Sequence, residues 1–183
     1  MKLAVWRESG PISRDQARER FLDGPPEPDD DFADAFAALF PGERIDDIPL
    51  ERVDEISNAV FALAREHGLV CYDPQRDLVH NLEPRSVYPQ MQMHTGDGMI
   101  VGDPDLKLIS DVLETLSPQN PFVALVCFGE HFMQVSPGYE LEFKENGEIR
   151  ATVTADLAEV RRAMLEYATG DRSFLQRHEW KAV

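Results

Sequence analysis

The sequence predicts an α+β protein in which helices pack on antiparallel sheet. Apolar residues Leu50, Val53, Ile56, Val60, Leu63 and Ala64 recur at helical steps of three and four. Tyr139, Leu141 and Phe143, and then Ile149, Ala151 and Val153, alternate with polar residues as the strands of a hairpin do. The patterns also come in blocks: strand, three helices and a short hairpin, then helix, four-stranded meander and helix. The 183 residues are read as a single compact unit built of two halves, 1–84 and 99–183.

In chain order, Lys2 to Arg7 is the first strand, and Ser13 with Gln16 is a capping box for a helix reaching about Leu22, where Asp23-Gly24 ends it. The stretch GPPEPDDD, residues 24–31, interrupts regular structure with three prolines and offers an aspartate as N-cap for a short helix, Phe32 to Phe40, closed by Pro41-Gly42. The stripe from Pro49 onward is the next helix, with Gly68 at its stop. Leu69 to Tyr72 reads as a strand, Asp73-Pro74 as a turn and Asp77 to His80 as a second strand. Through residues 81–103 the pattern weakens, and the stretch is expected to be a long connection between the halves.

Asp103-Pro104 then reads as N-cap and first turn of a helix whose stripe, Leu106, Ile109, Val112, Leu113 and Leu116, ends at Ser117-Pro118. Phe122 to Phe128 is almost continuously apolar, as expected of a strand covered on both faces, and Gly129-Glu130 suits a tight turn into His131 to Val135. For the last hairpin, a three-residue loop Glu145-Asn146-Gly147 would pair Phe143 with Ile149 and Leu141 with Ala151, and would set Lys144 opposite Glu148 and Glu142 opposite Arg150. Both faces agree in that register, so it is the expected one. Thr154 is expected to cap a final helix through about Ala168, stopped by Gly170 and followed by a short tail with Phe174 and Trp180.

HGLVCYDPQ, residues 67–75, places a histidine, a cysteine and an aspartate close together, the residue types of a nucleophile site. Strand alternation instead points Cys71 the same way as Leu69, into apolar surroundings that make a thiol inert. Cys127 sits in a similar apolar run, so both thiols are expected to be buried and reduced. The run His94-Thr95-Gly96-Asp97-Gly98 is glycine-rich but lacks the lysine and hydroxyl residue of a phosphate loop. His94 and Asp97 alone do not make a metal site, and no cofactor or metal is expected. No apolar run is long enough for a membrane span or a leader, and the cytoplasm is the expected location.

Charge is the informative property. With 34 acids against 18 Lys plus Arg, the net charge is −16, a field that repels nucleic acid and anionic lipid and attracts basic partners. Residues 26–55 hold eleven of the acids and only Arg44 and Arg52, for a net −9. Acids belong near helix starts and on solvated faces. The same density also suits docking to a basic protein, and the candidate partner-binding residues are Glu27, Asp29, Asp30, Asp31, Asp34, Asp46, Asp47 and Asp54. No catalytic residue is assigned, because a charged, proline-rich loop is a poor place to desolvate a carboxylate.

The stretches KLAVW, EHGLVCYDPQ, FMQVSPGYELEF and FLQRHEWK resemble small bacterial proteins, some of them similar to immunity proteins of polymorphic toxin systems. The resemblance implies a cytoplasmic, non-enzymatic antitoxin that binds a cognate toxin domain and blocks it; it transfers no functional residue. The expectation is thus an immunity-type binder with a basic protein partner, docking through residues 27–55. The alternatives are a small enzyme or ligand-binding domain using a cleft between the halves, with His94, Asp97 and Tyr88 on its rim, and an acidic mimic of nucleic acid.

Overall fold

Two units, Met1–Glu83 and Pro84–Val183, make up the computed structural model, which describes residues 1–24, 27–127 and 130–183. Pro25, Pro26, Phe128 and Gly129, to which the sequence reading gave proline stops, a strand end and half a turn, lie outside the described residues. Among the described residues the architecture is α+β, with every strand pairing antiparallel.

In the first unit, β1 (Ala4–Trp6), β2 (Val70–Asp73) and β3 (Leu78–His80) form a sheet in the order β1-β2-β3. Alternation divides the strands cleanly. Ala4, Trp6, Val70, Tyr72 and Val79 turn to one face and form a core with Ala17 of α1 (Arg14–Leu22). Both halves of the expected capping box are present on α1, between Ser13 and Gln16. Val5, Cys71 and His80 form a cross-strand row on the other face, where the His80 ring stacks on Phe61 of α3 (Val53–Glu66) with centroids 3.9 Å apart. Between them in sequence, α2 (Asp30–Leu39) starts at the N-cap Asp29. Its Phe32 and Phe36, with Phe40 just beyond, are buried at four-residue steps, and successive rings lie 6.3 and 5.4 Å apart.

The second unit holds a seven-stranded sheet in the order β10-β9-β8-β7-β6-β4-β5. Its centre is the expected meander, β6 (Val123–Cys127), β7 (His131–Ser136), β8 (Glu140–Glu145) and β9 (Glu148–Val153). Three strands extend it where none was expected. Residues 81–103 are not a plain connection: they carry the hairpin β4 (Gln92–Thr95) and β5 (Ile100–Gly102), with Gly96-Asp97-Gly98 in its turn. The tail supplies α6 (Phe174–Arg177) and β10 (Lys181–Ala182), anchored by Trp180 donating to the Phe174 carbonyl at 3.2 Å. Met93, Val101, Leu125, Met133, Leu141 and Phe143 are buried on one face, the side of α4 (Leu106–Val112) and α5 (Leu157–Ala168).

Two helix caps differ from expectation. Asp103 has φ 44°, a left-handed conformation no N-cap adopts, and the cap is Asp105, whose carboxylate accepts from the Leu108 N–H at 2.7 Å. Likewise Asp156, not Thr154, caps α5; the Thr154 hydroxyl instead donates to the Tyr139 carbonyl.

The final hairpin also takes the register the sequence argued against. Asn146 and Gly147, at φ 53° and 82°, form a two-residue turn of the type whose twist matches a hairpin. Phe143 therefore pairs with Arg150, Leu141 with Thr152 and Lys144 with Ile149. Ile149, Ala151 and Val153 turn to the face opposite Leu141 and Phe143, and Val153 is 69% exposed. The local turn outweighs face matching because β9 lies beside the edge, where little helix covers either face. On that opposite face Ala124 and Val126 lie in rows with Gln134 and Phe132, with Ala124 buried and Val126 half-buried.

Candidate functional site

Once its phenylalanines turn inward, α2 presents Asp31, Ala33, Asp34, Ala37 and Ala38 as an exposed face of acids and small residues. A groove of about 520 Å³ runs between α2, β1 and the turn at residues 43–46. Leu3, Val5, Phe32 and Phe36 lie at its base, Pro28, Ala33, Ala37 and Ile45 line it, and Glu27, Asp30, Glu43, Arg44 and Asp46 reach it with charge. The opening is set locally: alanines at 33 and 37 contribute no side chain that would fill it.

The structure separates the candidate residues into two kinds. Asp29 belongs to the fold: it accepts from the Phe32 N–H at 3.1 Å and pairs with Arg7 at 2.6 Å. Arg7 first, and that N–H second, hold its carboxyl below the usual range. Asp46 is matched by a two-pronged contact with Arg44, at 2.8 Å to each oxygen, which lowers its pKa. Glu27, Asp30, Asp31, Asp34, Asp47 and Asp54 are all exposed and carry no ion pair among the described residues. The groove brings together Glu27, Asp30 and Asp46 of the candidates; Asp31, Asp34, Asp47 and Asp54 do not line it.

Sequence reasoning counted Glu43 and Arg44 without selecting them. Their part depends on the 43–46 turn lying beside β1, where Leu3 N–H donates to the Ile45 carbonyl at 2.8 Å, a pairing with no sequence signal. Arg52 braces the same region, reaching Glu43 at 2.8 Å and Glu55 at 2.9 Å while its guanidinium stands 5.5 Å from the centre of the Phe40 ring.

The residues of HGLVCYDPQ have separate structural tasks. His67 caps the end of α3 and meets Phe32 edge-on. Cys71 is fully buried, and burial raises its thiol well above the ordinary value. Asp73 is fully buried too, accepting from the N–H groups of Gln75 and Arg76 and pairing with the Arg76 guanidinium at 2.9 Å. Sequence spacing did not show that each cysteine has a histidine directly across its hairpin, Cys71 opposite His80 and Cys127 opposite His131. In the first pair, burial pushes the imidazole down to about 3, and neither ring nitrogen has a hydrogen-bond partner. A neutral thiol beside a neutral imidazole is not an activated nucleophile. The Cys127 thiol is raised by burial as well.

The glycine-rich run His94 to Gly98 is explained by packing. A Cβ on Gly96 would stand 2.4 Å from Cδ of Pro121, and its N–H donates to the Asn120 side chain at 2.8 Å. Asp97 accepts from the Thr95 hydroxyl and His94 contacts Gln92 at 3.0 Å, while Tyr88 packs against Tyr167 and Arg172. Among the described residues no three His, Cys, Asp or Glu side chains gather as a metal site, and no helix is long and apolar enough to cross a membrane. The chain matches no protein-family model, no curated protein and no solved structure.

Proposed function

We propose that this protein is a non-enzymatic binder of the immunity type, which holds a basic toxin domain against the acidic surface of residues 27–54 and blocks it there. The observation that carries this reading is the set of exposed carboxylates with no ion pair among the described residues, the six candidates together with Glu51. Acids placed together without counter-charges repel one another in the free protein, and a basic partner relieves that repulsion on binding. The same field speeds encounter and competes for the surface a nucleic-acid-degrading toxin would offer its substrate.

The test is affinity capture from the source cell at low and then moderate salt, followed by an activity assay of whatever basic protein is retained. The reading expects one basic protein, released as salt rises, whose activity is suppressed by stoichiometric addition of this chain. A retained protein whose activity is untouched, or retention that does not respond to salt, contradicts it.

A further inference from the structure

The groove beside α2 adds something that surface charge alone does not: an apolar recess inside an acidic rim. Ala33 and Ala37 are exposed on one side of it and Ile45 is half-buried beside them, while Glu27 and Asp30 approach it from the start of α2 and Asp46 from the neighbouring turn. A volume of about 520 Å³ lies within the range of small-ligand and anchor pockets. Asp46 already has Arg44, but Glu27 and Asp30 have no ion pair among the described residues. The site therefore favours an incoming group that is apolar at its centre and cationic at its edges.

We propose that this groove takes a segment of the basic partner in which a large apolar side chain, flanked by lysine or arginine, inserts between Ala33, Ala37 and Ile45. The flanking cations meet Glu27 and Asp30. Buried anchors of this kind dominate protein interfaces, with charged rims setting specificity and encounter rate. The inference rests on the docking reading of the acidic surface and narrows it to one place and one chemistry.

The experiment is a titration of the ¹⁵N-labelled full chain with three short synthetic peptides: leucine flanked by arginines, the same peptide with glutamine for leucine, and the same with glutamates for arginines. The expected result is saturable amide shifts centred on Ala33, Ala37 and Ile45 for the first peptide, with affinity at least about tenfold weaker for the other two. Ala37→Trp, at an exposed position, fills the groove and abolishes the shifts, while Ala37→Ser keeps them; circular dichroism confirms that both variants are folded. Shifts spread over the surface, or peptides that bind alike, overturn the proposal. The captured partner separates the two levels of the argument. If Ala37→Trp binds it as wild type does while joint neutralisation of Asp31, Asp34, Asp47 and Asp54 releases it, the groove is wrong and the acidic surface stands. If neither change matters, both fall.

Discussion

Two regions of this chain are rich in acids and use them in opposite ways. Around α5 and α6 several carboxylates have arginine partners. Glu166 takes Arg177 on both oxygens at 2.8 Å and Arg162 at 3.1 Å, Glu159 takes Arg177 at 3.1 Å, Glu145 takes Arg172 and Glu114 takes Arg161. Along residues 27–54, seven carboxylates, Glu51 and the six candidates Glu27, Asp30, Asp31, Asp34, Asp47 and Asp54, stand exposed with no ion pair among the described residues. The first unit outside residues 26–55 is close to neutral, eight acids against seven bases, so the excess is local. Acid density therefore says little by itself; whether the fold supplies the counter-charge separates a structural acid from one available to a partner.

The sharpest way to break this distinction is to remove a matched acid. Asp73 is fully buried against an Arg76 side chain that is only 16% exposed. Asp73→Ala is expected to cost roughly 3–5 kcal/mol in urea unfolding, because it removes the buried carboxylate that pairs with the Arg76 guanidinium and accepts from two turn N–H groups. A loss under about 1 kcal/mol would place Asp73 with the solvated acids.

His80 is a third kind of group, neither matched nor solvated. Its folded pKa of about 3 lies below the unfolded value of about 6.5. Between those values the unfolded chain binds a proton the native state refuses, so stability is full above pH 6.5 and falls with pH by about 1.4 kcal/mol per unit. His80→Leu is expected to remove that much of the slope between pH 6 and pH 4, measured as the difference from wild type. Identical slopes would show that the ring is solvated in the native state.

Arg172 tests the matched region through its rings. Its guanidinium lies 5.2 to 5.9 Å from the ring centres of Tyr88, Phe143, Tyr167 and Phe174. Arg172→Ala is expected to cost about 1–2 kcal/mol by thermal or chemical unfolding, more than an exposed ion pair contributes. The smallest effect belongs to the unmatched acids. Asp34→Asn is expected to leave stability unchanged within error, and a clear loss would mean that its charge serves the fold.

Where residues carry their own instructions, the sequence was legible. The Ser13 capping box, the aspartate cap ahead of α2 and the stripe of α3 specify those helices locally, and the meander and its order were readable from an apolar run, turn residues and alternation. The failures have two causes: partners distant in sequence decided some outcomes, and at the last hairpin a local turn outweighed face matching. β4 and β5 are short strands, β4 held between β6 and β5 and β5 paired with β4 alone, and the brief alternation Gln90-Met91-Gln92-Met93 is too short among prolines and glycines to announce them. The β8–β9 register followed the Asn146-Gly147 turn because β9 has too little cover for its faces to decide. At the candidate site the charge was visible in sequence, but its division was not: Asp29 is held by Arg7, distant in sequence, and the groove needs the 43–46 turn beside β1.

The most direct test of the account compares two variants of equal net charge as baits, side by side with wild type. One neutralises Asp30, Asp31, Asp34 and Asp54, leaving Asp29 to cap α2; the other neutralises Glu130, Glu140, Glu148 and Glu179, exposed acids of the second unit. The account predicts that a basic protein captured by wild type is lost with the first variant and retained by the second. Equal retention by both, or equal loss from both, would contradict a docking surface on residues 27–54 and leave only non-specific attraction to a charged protein.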